Sequence, residues 1–183
     1  MKTILYFAYG SNLDEGQMGE RCPGAKATGV ATLPNHALTF GGFSHKWSGA
    51  VASVRRARGE RVEGVLYALP GGELAALDRF EGHPFNYERT TRMVVTKTGR
   101  RRAVVYLQPE ASLEAWAPQP EYFAVLYREY ARRGFALEHC RHRRPGDPLS
   151  PRSPMTRGPP GDFETVLRPS RQRAGRAGPV RSR

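Results

Sequence analysis

The chain has 183 residues, 39% of them hydrophobic and 25% charged, which suits one globular domain with a sizeable core. No apolar run approaches the length of a membrane span, and residues 1–3 lead into a strand pattern without a signal-peptide layout, so a cytoplasmic protein with no membrane partner is expected. The formal charge of +12 suggests nucleic acid, but eleven Arg and only three acids lie in residues 141–183; the basicity belongs mainly to the tail and says little about the folded part.

In chain order, residues 2–8 read as a first strand, rich in aromatic and branched side chains. It stops at Gly10-Ser11-Asn12, a turn whose short side chains let a ligand approach backbone N–H groups closely. An ordinary strand-to-loop exit accounts for the same residues. Residues 14–20 read as a short helix or turn. Strands follow at 26–33 and 36–40, then a loop from Gly41-Gly42 through Trp47. A strand at 49–54, a charged turn at 55–60 and a strand at 62–69 come next.

Pro70-Gly71-Gly72 breaks the chain, and 73–80 reads as a helix. Residues 87–97 and 101–108 form a predicted hairpin around Thr98-Gly99-Arg100. Pro118 and Pro120 precede a helix at 121–133 closed by Gly134, with Tyr122, Leu126, Glu129 and Tyr130 on one stripe. Many strands with two or three helices, and no strict strand–helix alternation, indicate an α+β domain on a barrel-like, curved mixed sheet. The folded domain is expected over 1–139. The remainder, 140–183, is Arg/Pro-rich, lacks apolar periodicity and reads as a disordered tail.

Cys22 and Cys140 are the only cysteines, too few for a disulfide framework or a zinc site, and His139-Cys140-Arg141-His142 offers too few ligands. No metal or cofactor is expected. Ser11 has no fixed base to activate it as a nucleophile, nor has Cys22. The carboxylate that stands out is Glu81. With Leu74 and Leu77 it occupies i, i+3 and i+7, so it faces the core if the helix persists, whereas Glu73 and Asp78 fall elsewhere and are free to be solvated. Desolvation raises a carboxyl pKa towards neutrality, as a general acid/base requires. Fraying of the helix end into water is the competing reading. Tyr87, Tyr106 and Tyr122 read, taken singly, as packing aromatics.

Together these segments resemble the γ-glutamylcyclotransferase-like (AIG2-like) family over about residues 1–135. Tyr6-Phe7-Ala8-Tyr9-Gly10-Ser11-Asn12-Leu13 is similar to the family's YGSN signature. Leu77-Asp78-Arg79-Phe80-Glu81-Gly82 resembles the segment that carries its catalytic glutamate. Ser48-Gly49-Ala50-Val51-Ala52, Gly64-Val65-Leu66-Tyr67, Tyr87, Val105-Tyr106-Leu107 and Pro118-Gln119-Pro120-Glu121-Tyr122 follow in the expected order. The resemblance implies a compact mixed barrel with flanking helices and a cavity holding both motifs. It also implies that Tyr6, Phe7, Ala8, Tyr9, Gly10, Ser11 and Asn12 bind a small γ-glutamyl substrate, that Tyr106 and Tyr122 line the pocket, and that Glu81 carries the proton. The reaction would release 5-oxoproline and an amine. Two other readings share the fold: a non-catalytic protein binding a small ligand, or nucleic acid through the tail alone, and a different amide-processing reaction on a γ-glutamyl-tagged intermediate.

Overall fold

The computed structural model describes residues 3–113 and 117–136. The tail expected at 140–183, and with it the nucleic-acid reading, lies outside these residues. The elements are β1 (Thr3–Ala8), α1 (Glu15–Arg21), β2 (Lys26–Ser44), β3 (Gly49–Pro70), α2 (Leu74–Glu81), β4 (Glu88–Thr96), β5 (Gly99–Leu107) and α3 (Pro120–Arg133). The five strands close into a barrel in the order β1-β3-β2-β4-β5. All neighbours are antiparallel except β1 and β5, which close the barrel in parallel at Tyr6↔Val104. The α+β barrel with three flanking helices is the architecture expected from the sequence.

Two local expectations are corrected. The strands read at 26–33 and 36–40 are one, β2, and it runs through Gly41 and Gly42 to Ser44. The charged turn at 55–60 belongs to β3. The ladder pairs Pro34 with Arg61 and then His36 with Arg56, so residues 57–60 bulge opposite Asn35 alone. Asn35 takes φ 57° and Gly59 φ 81°, and the Gly59 N–H donates to Asn35 Oδ1 at 3.1 Å. Such a bulge bends a strand pair without ending it, which is what strands of 19 and 22 residues need to wrap a barrel.

The core contains Phe7, Leu33, Val62, Leu69, Leu77, Val94, Val105 and Leu126, each 1% exposed or less. On α3, Tyr122, Leu126, Glu129 and Tyr130 are buried, the stripe read from spacing, and Gly134 caps the helix at φ 67°. β1 pairs with β3 along its whole length, and beside the last pair, Ala8↔Val65, Gly64 has no room for a side chain: a Cβ there would lie 2.3 Å from the Ala8 carbonyl oxygen and 2.6 Å from the Phe7 ring. This close approach seats β1, and hence the turn that follows it. No helix among the described residues is long and apolar enough to cross a membrane.

Candidate active site

At the end of β1 the chain enters a single 3₁₀ turn, Ser11–Leu13, whose N–H groups at its start have no acceptor within the turn. Neighbouring elements fix this turn from several sides. Tyr67 Oη donates to the Asn12 carbonyl at 3.1 Å, and Tyr130 Oη to the Tyr9 carbonyl at 3.3 Å. The Tyr122 hydroxyl on α3 accepts the Ala52 N–H at 2.8 Å and packs over the turn, 3.5 Å from where a Cβ on Gly10 would stand. Asp14 caps α1 by accepting the Gln17 N–H at 2.9 Å, so the helix starts directly after the turn and its last residue, Arg21, comes back beside it.

Glu81 is the last residue of α2. The helix persists to it, because Gly82 adopts φ 66° and returns its N–H to the Arg79 carbonyl. Glu81 therefore stays on the face of Leu77, which is fully buried, and its own side chain is only 13% exposed. Asn12 Nδ2 donates to Glu81 Oε1 at 2.8 Å and to the Tyr6 hydroxyl at 2.8 Å. Arg21 Nη1 reaches Glu81 Oε1 at 3.3 Å and Asn12 Oδ1 at 2.9 Å. Burial pushes the Glu81 carboxyl up from its ordinary range, while Arg21 and the Asn12 amide pull it back. Its proton affinity is thus set by two opposed effects, desolvation being the larger.

A cavity of about 520 Å³ opens above this pair. Of the residues singled out from the sequence, Tyr6, Tyr9, Gly10, Ser11, Asn12, Glu81, Tyr106 and Tyr122 line it together. Phe7 and Ala8 do not; both are fully buried in the core, packed closely against Gly64. The floor is rich in phenols. Tyr9 Oη donates to the Tyr106 carbonyl at 2.6 Å, and Tyr87 Oη to the Ala52 carbonyl at 2.6 Å. Burial raises the hydroxyl pKa of Tyr6, Tyr9, Tyr87, Tyr106 and Tyr122, with Glu81's charge adding to it in each, so all five remain protonated.

Several participants escaped sequence reasoning. Arg21 is the clearest: a buried acid in a protein interior needs a counter-charge, and Arg21 is the cation that α1 returns to the turn. Tyr87 also lines the cavity, beside Gln108, whose Nε2 donates to the Gly41 carbonyl at 3.0 Å. Asp78, expected to be solvated, instead accepts the Tyr106 O–H at 2.7 Å and pairs with Arg89. Among the described residues no set of three His, Cys, Asp or Glu side chains gathers as for a metal.

The arrangement sets a buried carboxyl of raised pKa beside a tight backbone turn on the wall of one cavity. Known proteins share both sequence and fold with it. Residues 6–125 match the family model described as "Gamma-glutamyl cyclotransferase, AIG2-like". The gamma-glutamylcyclotransferase of Homo sapiens is 31% identical over 144 residues, and that of Mus musculus 28% over 142, each alignment covering 75% of this chain and 76% of the relative. A solved structure named gamma-glutamyl cyclotransferase superposes with TM-score 0.69 at 27% identity, covering 81% of this chain and 94% of that one. From its signature turn, its barrel and these matches, the chain belongs to the AIG2-like gamma-glutamyl cyclotransferase family.

Proposed function

We propose that the chain is a gamma-glutamylcyclotransferase in which Glu81 is the general acid/base and the turn at residues 9–12 holds the γ-glutamyl unit. The observation that carries this reading is the meeting of Glu81 with Asn12, at 2.8 Å, on the wall of one cavity. A γ-glutamyl amide contains both reacting groups, the α-amine and the γ-carbonyl carbon. A site that holds it curled raises their effective concentration and need not supply a nucleophile.

In the proposed step, Glu81 as carboxylate takes a proton from the α-ammonium. The freed amine attacks the γ-carbonyl carbon, forming the C–N bond of a five-membered lactam and placing negative charge on the carbonyl oxygen. Donors near Gly10 and Ser11 would hold that oxyanion. Collapse breaks the original amide C–N bond as Glu81 gives its proton to the departing nitrogen; the second proton, shed by the attacking nitrogen as it becomes the lactam N–H, passes through Glu81 to the freed amine, which leaves as an ammonium. The products are 5-oxoproline and the released ammonium, with no net change in protons at the enzyme. A carboxyl whose pKa is raised by burial and restrained by Arg21 is suited to both halves of this exchange.

The reading is tested by incubating the protein with γ-glutamyl amino acids and amides and measuring 5-oxoproline. Release from at least one is expected. A reaction that yields glutamate instead would favour an amide-processing enzyme of another kind.

A further inference from the structure

The cavity separates two kinds of aromatic side chain. Its floor is tyrosine: Tyr6, Tyr9, Tyr106 and Tyr122 are each 5% exposed or less. Its mouth is phenylalanine: Phe43, Phe80 and Phe85 line the same cavity and are 47%, 56% and 87% exposed. Single exposed apolar side chains are ordinary, but three that line one cavity offer apolar surface to whatever enters it.

Each phenylalanine is carried on a short, hydrogen-bonded segment. Phe43 follows Gly41 and Gly42, where Gln108 holds the Gly41 carbonyl. Phe80 immediately precedes Glu81 on α2, with the Arg21 guanidinium 5.5 Å from its ring centre. Phe85 sits in the turn after α2, where the N–H groups of Phe85 and Asn86 both donate to the Gly82 carbonyl at 2.9 Å. Polar groups lie among them. Lys46 Nζ is 5.2 Å from the Trp47 ring centre, His45 stands against Phe43, and Glu20 also lines the cavity.

We infer that Phe43, Phe80 and Phe85 form a subsite for an aromatic or large apolar leaving amine. The inference rests on the activity proposed above. In that reaction the amide nitrogen must lie near Glu81 to receive its proton, with the γ-glutamyl unit on the enclosed floor. The substituent on that nitrogen then leads towards the open mouth, where the phenyl rings stand. These rings have no polar atom to satisfy, so burying them against an apolar substituent releases water at little polar cost. A glycine or alanine leaving group is too small to cover them.

The test compares γ-glutamylphenylalanine with γ-glutamylglycine in two ways. For the wild-type protein, kcat/KM for 5-oxoproline release should favour the phenylalanine compound about tenfold or more. Replacing two exposed rings, Phe43→Ser with Phe85→Ser, should move that ratio towards one, with folding checked by circular dichroism. In parallel, calorimetry reads binding of both compounds to the Glu81→Gln variant, where the phenylalanine compound should again bind about tenfold more tightly. Equal kcat/KM values, or a ratio unchanged by the double substitution, would overturn the subsite and leave the activity standing. If neither these two nor any other γ-glutamyl compound yields 5-oxoproline, the activity reading falls. The calorimetric preference then decides the subsite alone: it stands if binding favours the phenylalanine compound, and is overturned if binding is equal or absent.

Discussion

Asn12 and Glu81, 69 positions apart in the chain, are joined by a 2.8 Å hydrogen bond between the Asn12 amide nitrogen and a carboxylate oxygen. The same amide nitrogen serves the Tyr6 hydroxyl, and the amide oxygen accepts from Arg21. One small side chain therefore ties the end of β1 to α1 and α2. Asn12→Ala leaves a buried carboxylate and phenol short of a donor, and should cost about 1–3 kcal/mol of stability. It should also lower kcat for 5-oxoproline release. Thermal melts and steady-state kinetics check both, and a variant with wild-type stability and kcat would show the bridge to be dispensable.

Arg21 opposes the burial that raises the Glu81 pKa. Removing the cation with Arg21→Met takes away a favourable interaction with the ionised form, so the carboxyl pKa must rise further. Since the proposed base must be ionised to accept the ammonium proton, the acid limb of kcat/KM against pH should shift to higher pH. Activity near pH 7 falls and is partly recovered on going to more alkaline buffer. A limb that stays in place, or moves to lower pH, contradicts this role for Arg21.

The same shift makes stability depend on pH. Glu81's folded pKa lies above its unfolded value, so between the two the native state binds more protons than the unfolded chain. Its stabilising contribution is complete below the unfolded pKa, roughly 4.3, and is lost as pH rises through the folded value. Glu81→Gln cannot titrate. The difference in Tm, wild type minus variant, should therefore fall as pH rises from about 4 and level off once Glu81 is ionised. A difference that grows with pH would mean that the native state favours the carboxylate.

Gly64 marks the close approach of β3 to the end of β1. Gly64→Ala would put a methyl group against the Ala8 carbonyl and the Phe7 ring, two groups that cannot move without disturbing the β1–β3 ladder. The expected cost is about 1–3 kcal/mol, the range for overpacking a tight interior. It is read as a lower denaturant midpoint with an unchanged slope. A midpoint equal to wild type would show that this contact has more slack than its geometry implies.

Much of this was legible in the residues themselves. Periodicity placed Glu81 on the face of Leu77, and the helix does persist to Gly82. The hairpin of β4 and β5 and the stripe of α3 were likewise visible from turn chemistry and spacing. The long β2–β3 ladder was not, because Pro34-Asn35 and the charged run at 55–60 look like chain breaks. Only the cross-strand register shows that the ladder resumes beyond them. Asp78 was misread for a related reason: helix spacing says which way it leaves α2, but not that Tyr106 and Arg89 wait there. Arg21 was missed because its partner is brought close by the fold, although a buried acid without a named cation was itself a signal.

The most direct measurement is 5-oxoproline release by wild type and Glu81→Gln on the γ-glutamyl substrate that turns over best, with folding of both verified by circular dichroism and thermal melts. Glu81→Gln removes the exchangeable proton while keeping an amide that fills the same space. The expected result is a folded variant whose kcat falls by about 10²–10⁴-fold, the usual contribution of general acid–base catalysis. A folded Glu81→Gln protein that keeps wild-type turnover would contradict it.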